Sequence, residues 1–257
     1  MTLTVDELSV EHSARNSFGR WKRLMPLEAT SPSYSRVEKL FNKGWKHREK
    51  AKPRVYAVFK VISPEGTLKP YIDYRSMVQA SPSIKTLGKT DVESLLFHGT
   101  KRACLLGENI NNLRLCALKK CSVCSIIRSS FDIEKCGSKH KFTRFGKGIY
   151  MTSCSSKADD YSSNGSGDAG FRVLLVGRVV VGKALKRRTN ATDLTELPCG
   201  YHSLIGEPGE DLKFQEHVVY NNDAVRPAYL VVYGHAPEND SKFKAMISTL
   251  FNTPIAS

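Results

Sequence analysis

The stretch Phe171-Arg-Val-Leu-Leu-Val-Gly-Arg-Val-Val-Val181 is the most strand-like segment of this 257-residue chain. Its Val and Leu side chains are typical of a buried β-strand, because branched apolar side chains pack well on a pleated surface. Gly177 and Arg178 interrupt the run, and a membrane-spanning helix needs about twenty apolar residues. We therefore predict a buried strand here and no segment that crosses a membrane.

Shorter apolar segments lie on both sides of this stretch. We predict strands over 54–62, 92–98, 216–220 and 229–233. A turn is predicted at 63–66, where the sequence reads Ser-Pro-Glu-Gly. Apolar residues at helical spacing predict an amphipathic helix over 36–45, and a short helix is expected over 243–251. Because helix is sparse and short strands dominate after it, the sequence predicts an α+β domain built around antiparallel strands.

Composition sets the expected boundaries of this domain. Residues 1–30 are polar without sustained periodicity, so we interpret them as a flexible N-terminal leader, and residues 235–257 as a polar C-terminal tail. One domain is expected over residues 31–234. The N-terminus carries acidic residues and no continuous apolar core, which is not typical of a secretory signal. We expect a nuclear or cytoplasmic protein that is not secreted.

The balance of charge is the unusual feature of the composition. The hydrophobic content of 40% and the charged content of 25% are ordinary, but the formal net charge is +14. Such a surplus attracts polyanions, so nucleic acid is a candidate partner or substrate. The alternative is a basic surface that only maintains solubility. Charge alone does not decide between these interpretations, because Lys and Arg are spread along the chain.

The seven cysteines are odd in number and cluster in mid-chain, which argues against a secreted disulfide framework. Cys104, Cys116, Cys121 and Cys124 offer four thiolates that suit tetrahedral zinc, and Cys136 and His140 are alternative fourth ligands. The other interpretation is scattered free thiols. A structural zinc ion would order the irregular, basic segment 101–145, which is long for a loop.

Three short segments carry the candidate chemistry. His98-Gly99-Thr100 follows an apolar strand, Gly146-Lys147-Gly148-Ile149-Tyr150 is a glycine-rich turn, and Glu216 opens another apolar strand. Tyr150 and Tyr161 together would suit a flat heteroaromatic ring such as nicotinamide. Taken singly, the three segments are better explained as a structural histidine, a glycine-rich turn with two core tyrosines, and an exposed glutamate at a strand end.

In this order, however, the three segments resemble the catalytic domain of the poly(ADP-ribose) polymerase family, in a fungal-like branch. The stretch 197–208, and the early segment with Trp45, Pro53 and Val55, are also similar to that family. The resemblance implies an ADP-ribosyltransferase-like α+β fold with antiparallel strands in two packed sheets, few helices and a Cys-rich insertion. It also implies a His-Tyr-Glu catalytic triad, formed here by His98, Tyr150 and Glu216.

The resemblance further implies how NAD is bound. His98 and Thr100 would contact the adenine-side ribose, and the Gly99 backbone would bind the nicotinamide carboxamide. Tyr150 and Tyr161 would enclose the nicotinamide ring. Lys157 would lie near the reacting centre, and Glu216 would bind the 2′-hydroxyl of the nicotinamide ribose and orient the acceptor.

One position departs from the family pattern. Ala158 stands where the family usually has a serine that hydrogen-bonds the carboxamide. We expect weaker NAD or nicotinamide binding, since such a bond contributes on the order of 1 kcal/mol. Ser155, Ser156 or a water molecule are the candidate replacements.

The expected function is transfer of ADP-ribose from NAD to a protein or nucleic-acid acceptor, with release of nicotinamide. The sequence does not distinguish single transfer from chain elongation. The alternative is a catalytically silent module of the same fold that binds nucleic acid through its zinc-containing insertion. Lys119, Lys120, Arg128 and Lys135 provide the basic charge near the cysteines.

Overall fold

The computed structural model describes residues 22–88, 91–109, 113–135 and 143–235. Its strands are β1 (Leu24–Pro26), β2 (Arg54–Val61), β3 (Glu93–His98), β4 (Lys101–Arg102), β5 (Ile149–Met151), β6 (Ser163–Asn164), β7 (Arg172–Val180), β8 (Ala184–Arg187), β9 (Ser203–Gly206), β10 (Glu216–Val219) and β11 (Val225–Gly234). Its helices are α1 (Pro32–Gly44), α2 (Glu65–Ala80), α3 (Pro82–Thr86), α4 (Ser122–Ser129) and α5 (Ser155–Asp160), with short 3-10 segments at Ile133–Lys135 and Asn222–Ala224. No helix in these described ranges is long and apolar enough to span a bilayer.

The larger sheet has five antiparallel strands in the order β1-β2-β11-β7-β3. The strand predicted over 171–181 is β7, and it lies beside the central strand β11. Every residue of β11 is buried, because the strand has neighbours on both edges and packed layers on both faces. The predicted buried strand is therefore confirmed, and β11 extends well beyond the segment 229–233 that the sequence predicted.

Both faces of the larger sheet are covered. On one face, Phe59, Leu175 and Leu230 pack in one cluster with Cys124 and Ile127 of the insertion. Residues of alternate parity on the same strands pack with α1 on the other face: Val58, Leu174, Val231, Val37 and Phe41. This period of two is the pattern of a strand that points successive side chains to opposite faces. The Cys-rich insertion thus takes the place of a helical layer on one side of the sheet.

The smaller sheet has the order β5-β10-β9-β8, in which β8 and β9 are parallel and the other pairs antiparallel. Leu96 and Val179 of the larger sheet share a buried cluster with Ile149, Met151 and Val219 of the smaller one. The predicted α+β class, with two packed sheets and few helices, is therefore confirmed. The parallel pairs β8–β9 and β4–β6, the second of which forms a separate two-stranded sheet, are additions to the antiparallel pattern.

Three local predictions were wrong. The segment 63–66 is not a turn between strands: Pro64 precedes α2, a 16-residue helix. The sequence conceals α2 because Tyr71 and Val78 are its buried residues and Pro70 lies inside it. Helix α4 lies within the insertion predicted to be irregular, and β1 pairs with β2 inside the segment expected to be a leader. The helix expected over 243–251 lies outside the described residues.

Arg102 is the largest fully buried side chain, with 0% exposure, and connects the insertion to the larger sheet. Its guanidinium donates to the carbonyl oxygens of Leu106 and Phe171, to Asn164 Oδ1 and to Glu108 Oε1 at 2.5–3.1 Å. Without the arginine, the Leu106 carbonyl and Asn164 Oδ1 would lose their donor, and Glu108 would lose its ion-pair partner. A buried guanidinium is tolerated only when it is paired and its hydrogen bonds are all formed, so loss of one member weakens the whole network.

We predict that Arg102→Met lowers the free energy of unfolding by about 3–5 kcal/mol, because the partly buried Glu108 carboxylate loses its cation and the buried Leu106 carbonyl loses its donor. Urea denaturation followed by tryptophan fluorescence measures this change. Lys101→Met, at the neighbouring half-buried position, is the control and should change the stability much less. Equal stability of the two variants would contradict the role of Arg102.

Candidate active site and cysteine cluster

His98 is the last residue of β3 and lies where the two sheets meet. The preceding residue, Phe97, exchanges backbone hydrogen bonds of 2.7 and 3.0 Å with Thr152 beyond the end of β5. The His98 Nδ1 donates to the Tyr150 carbonyl at 2.9 Å, since a carbonyl can only accept. In the neutral imidazole this leaves Nε2 as an acceptor. The Phe131 ring packs edge-on against the imidazole with centroids 5.2 Å apart.

Tyr150 lies in β5, opposite Val218 of β10. Its hydroxyl donates to the Gly146 carbonyl at 2.8 Å and accepts from the Phe145 amide at 2.9 Å. Gly146 has a φ of 68°, and a Cβ there would lie 1.7 Å from the Leu194 carbonyl oxygen. The glycine is therefore required by both its conformation and its contact, and the turn it forms fixes the tyrosine ring.

Glu216 is the first residue of β10 and is only 8% exposed. Its Oε1 forms an ion pair of 2.7 Å with Lys157 Nζ of α5, which also donates to the Phe214 carbonyl at 3.0 Å. The other carboxylate oxygen, Oε2, is buried and has no hydrogen-bond partner among the described residues. A buried acceptor without a donor is costly unless a ligand satisfies it.

The Glu216 carboxylate affects the pKa values of Lys157 and Tyr161, at α5 and its C-terminal end. Burial lowers the pKa of Lys157 while the Glu216 charge opposes that effect. Burial also raises the pKa of Tyr161, and the Glu216 charge raises it further. Tyr161 ends α5 and is 50% exposed. Lys157 and Glu216 are therefore in contact, and Tyr161 lies near enough to be influenced by the Glu216 charge. We call the place where these three residues meet the candidate cleft.

Gly99 lies against the backbone of α5. A Cβ on Gly99 would be 1.7 Å from the Ala158 carbonyl oxygen and 3.2 Å from the Ser162 amide nitrogen. Thr100 follows, and its carbonyl accepts from the Ser163 amide at 3.5 Å. The absence of a side chain at Gly99 thus allows the end of β3 to approach α5 closely.

Neither Ser155 nor Ser156 is placed to replace the missing hydroxyl at position 158. The Ser155 hydroxyl donates to the Phe41 carbonyl at 2.7 Å. The Ser156 hydroxyl oxygen accepts from the Lys46 and His47 amides at 2.9 and 3.1 Å. Ser155 instead holds α5 to α1, and Ser156 holds it to the segment after α1. Neither serine caps α5, since its N-cap residue is Cys154.

Sequence reasoning missed two residues next to Glu216. Arg144 Nε lies 4.0 Å from Glu216 Oε2. His217 is buried, and this burial lowers its pKa to about 4, so its imidazole is neutral near pH 7. The approach of Arg144 has no local signal, because it joins residues 72 positions apart. His217 directly follows Glu216 in the sequence, but its burial is decided by the packing of the smaller sheet.

The four predicted cysteine ligands converge at one place. The sulfur atoms of Cys104, Cys116, Cys121 and Cys124 all lie within 4.8 Å of one another. Cys104 Sγ is 3.7 Å from Cys121 Sγ and 3.6 Å from Cys124 Sγ. These distances are far longer than a disulfide bond of about 2.05 Å. They are close to the separation of about 3.8 Å between thiolates that surround one zinc ion at about 2.3 Å.

The surroundings of the cluster also suit a metal site. The Ala103 amide donates to Cys121 Sγ at 3.4 Å, as outer donors commonly do to metal-bound thiolates. Cys121 and Cys124 are fully buried in the core between the insertion and the larger sheet. The alternative ligands Cys136 and His140 lie outside the described residues.

We predict that Gly99→Ala strongly reduces thermal stability, because α5 must move to make room for the Cβ. Differential scanning fluorimetry measures this effect. Gly167→Ala is the matched control, since a Cβ on Gly167 meets no atom within 4 Å. If both variants behave alike, the close approach of Gly99 to α5 is not required.

Comparison with known proteins identifies the family of this chain. The family model described as the poly(ADP-ribose) polymerase catalytic domain matches residues 31–235. The human (Homo sapiens) protein mono-ADP-ribosyltransferase PARP4 is 33% identical over 93 residues, which cover 34% of this chain and 5% of that protein. This chain thus matches only a small part of the much longer relative. The family match extends over most of the chain and includes all three candidate catalytic residues, so the chain belongs to the poly(ADP-ribose) polymerase catalytic-domain family of ADP-ribosyltransferases.

Proposed function

We propose that the protein cleaves NAD at the bond between nicotinamide and ribose and transfers ADP-ribose to a macromolecular acceptor. The observation that carries this proposal is the buried Glu216 carboxylate, with one oxygen on Lys157 and the other without a hydrogen-bond donor among the described residues. The free oxygen suits a sugar hydroxyl. Family membership supports transferase chemistry in general.

The reaction explains why a fixed carboxylate is needed at this place. The bond between the pyridinium nitrogen and the anomeric carbon breaks, and the electron pair leaves with neutral nicotinamide. Positive charge then develops on the ribose, as it does in glycoside cleavage. A preorganised carboxylate stabilises charge that exists only in the transition state, so it increases turnover more than binding. The acceptor forms the new bond to that carbon and releases its proton.

The other residues of the cleft have binding roles in this proposal. His98 and Thr100 hold the adenine-side ribose, and the Gly99 backbone binds the carboxamide. Tyr150 and Tyr161 enclose the nicotinamide ring. The ring of Tyr150 is fixed by its bonds to the 145–146 turn, while Tyr161 is 50% exposed and accessible to the substrate. Since Ser155 and Ser156 are engaged elsewhere, Ala158 should leave the carboxamide more weakly bound.

The acceptor is proposed to be a protein or a nucleic acid. The net charge of +14 supports the second class, because it favours approach to a polyanion. Labelled NAD supplied with separate protein, DNA and RNA acceptors identifies the class, and the length of the labelled product distinguishes single transfer from elongation. Reduced cysteines also suit a nuclear or cytoplasmic location.

We predict that Glu216→Gln binds NAD with nearly unchanged affinity but releases nicotinamide at least about 100-fold more slowly, because the transition state loses its counter-charge. Calorimetry measures the binding and a nicotinamide assay measures the turnover. Glu210→Gln, an exposed glutamate in the preceding loop, is the control and should be active. Near-normal transfer by Glu216→Gln would refute the assigned role.

The wild-type protein must first release nicotinamide from NAD in the same assay. A folded wild-type protein that binds nucleic acid and releases none would instead support the catalytically silent module.

We also propose that Cys104, Cys116, Cys121 and Cys124 bind one structural zinc ion. The support is the short distances between their sulfur atoms and their position where the insertion packs on the larger sheet. Four protein ligands leave no open coordination position, so the ion would stabilise the fold and take no part in the reaction.

We predict that the purified protein contains about one zinc ion per chain and that Cys124→Ser lowers both the zinc content and the melting temperature. Elemental analysis and thermal unfolding measure these quantities. Cys199→Ser is the control, because Cys199 is exposed and outside the cluster. A wild-type protein that folds without metal and is insensitive to chelators would contradict the site.

A further inference from the structure

Arg144 approaches the catalytic carboxylate at the oxygen that Lys157 does not bind. Its Nε lies 4.0 Å from Glu216 Oε2, beyond hydrogen-bonding distance but within the range of an ion pair. Lys157 Nζ lies 2.7 Å from Oε1. Each carboxylate oxygen therefore has its own cation, and only the Lys157 cation forms a direct hydrogen bond with it.

The loop at 190–194 holds Arg144 at this distance. Arg144 Nη1 donates to Asn190 Oδ1 at 2.5 Å, and the Ala191 amide donates to the Arg144 carbonyl at 2.8 Å. Two residues later, Gly146 packs so closely on the Leu194 carbonyl that no side chain fits. Hydrogen bonds thus hold both the backbone of Arg144 and its guanidinium group.

The field of Arg144 also reaches the other groups of the cleft. The pKa of Lys157 is lowered first by burial, and the positive charge of Arg144 acts in the same direction. Burial raises the pKa of Tyr161, and Arg144 opposes that rise. Arg144 therefore lies beside Glu216, near enough for its charge to act on Lys157 and Tyr161 as well.

We propose that Arg144 is a positioning residue for Glu216, which it attracts through Oε2 without occupying the hydrogen-bonding capacity of that oxygen. A closer cation would take the place of the ribose hydroxyl, and no cation would leave the carboxylate free to turn toward Lys157. Asn190 has a part in this arrangement, because it keeps the guanidinium from closing onto Oε2. The inference rests on the proposed function, in which Oε2 receives that hydroxyl.

The test is a double-mutant cycle between Arg144 and Glu216. With Glu216 present, Arg144→Gln should lower kcat for nicotinamide release about tenfold and change the KM for NAD by less than about threefold. In the Glu216→Gln variant, adding Arg144→Gln should lower kcat by less than about twofold, because a positioning residue acts through its partner. Arg144→Lys keeps the charge and should recover most of the activity.

The control is Arg188→Gln, which removes an arginine with a 76% exposed side chain that pairs with Glu207 outside the cleft. It should leave kcat unchanged. Asn190→Ala should lower kcat when Arg144 is present and have little effect in Arg144→Gln. If Arg144→Gln lowers kcat by the same factor with and without Glu216, Arg144 acts directly on NAD or the acceptor. That result would overturn the positioning role.

A second measurement separates this proposal from the proposed function. Removal of the Arg144 charge should raise the pKa of Lys157, which nuclear magnetic resonance of labelled lysine side chains detects without turnover. A wild-type protein that releases no nicotinamide would contradict the proposed function, while a raised Lys157 pKa in Arg144→Gln would still support the placement of Arg144. An unchanged Lys157 pKa would overturn that placement.

Discussion

Two backbone hydrogen bonds between Phe97 and Thr152 join the larger sheet to the smaller one, and the candidate site depends on them. His98 follows Phe97, and Tyr150 precedes Thr152 on the neighbouring strand β5. The Thr152 hydroxyl also donates to the Gln215 carbonyl at 2.7 Å, directly before Glu216. One small contact between sheets thus positions all three proposed catalytic residues. Backbone bonds of this kind tolerate little displacement, so the three side chains keep a fixed relation.

The cleft contains a buried ion pair, and one oxygen of its carboxylate has no hydrogen-bond donor among the described residues. Glu216 and Lys157 are each 8% exposed, and their ion pair offsets much of the cost of removing them from water. Oε2 of the carboxylate is buried without a donor among the described residues, and Arg144 stays too far away to provide one. Unsatisfied polar groups of this kind reduce stability but are typical of sites prepared for a ligand.

The Cys-rich insertion is connected to this cleft as well as to the core. Its helix α4 carries Cys124 into the cluster and Ile127 into the core below the larger sheet. The chain then continues to Phe131, whose ring packs edge-on against the His98 imidazole. Through α4, the proposed zinc site would help to fix one wall of the NAD cleft. The insertion therefore contacts the candidate site through the Phe131 ring as well as the core of the domain.

The sequence by itself determined the elements whose signal is local. Strands β2 and β7 and helix α1 follow from apolar periodicity, and the three motifs with the cysteine spacing indicate the family and the four clustered thiols. Helix α2 escaped prediction because its two buried residues, Tyr71 and Val78, gave too weak a pattern.

Only the tertiary structure decided which distant groups meet. It engaged the Ser155 and Ser156 hydroxyls with α1 and the segment after it, brought Arg144 to Glu216, and left one oxygen of that carboxylate without a hydrogen bond among the described residues. The physical reason is the same in each case: a side-chain partner that lies dozens of residues away along the chain is set by how the sheets pack, and no local pattern encodes it.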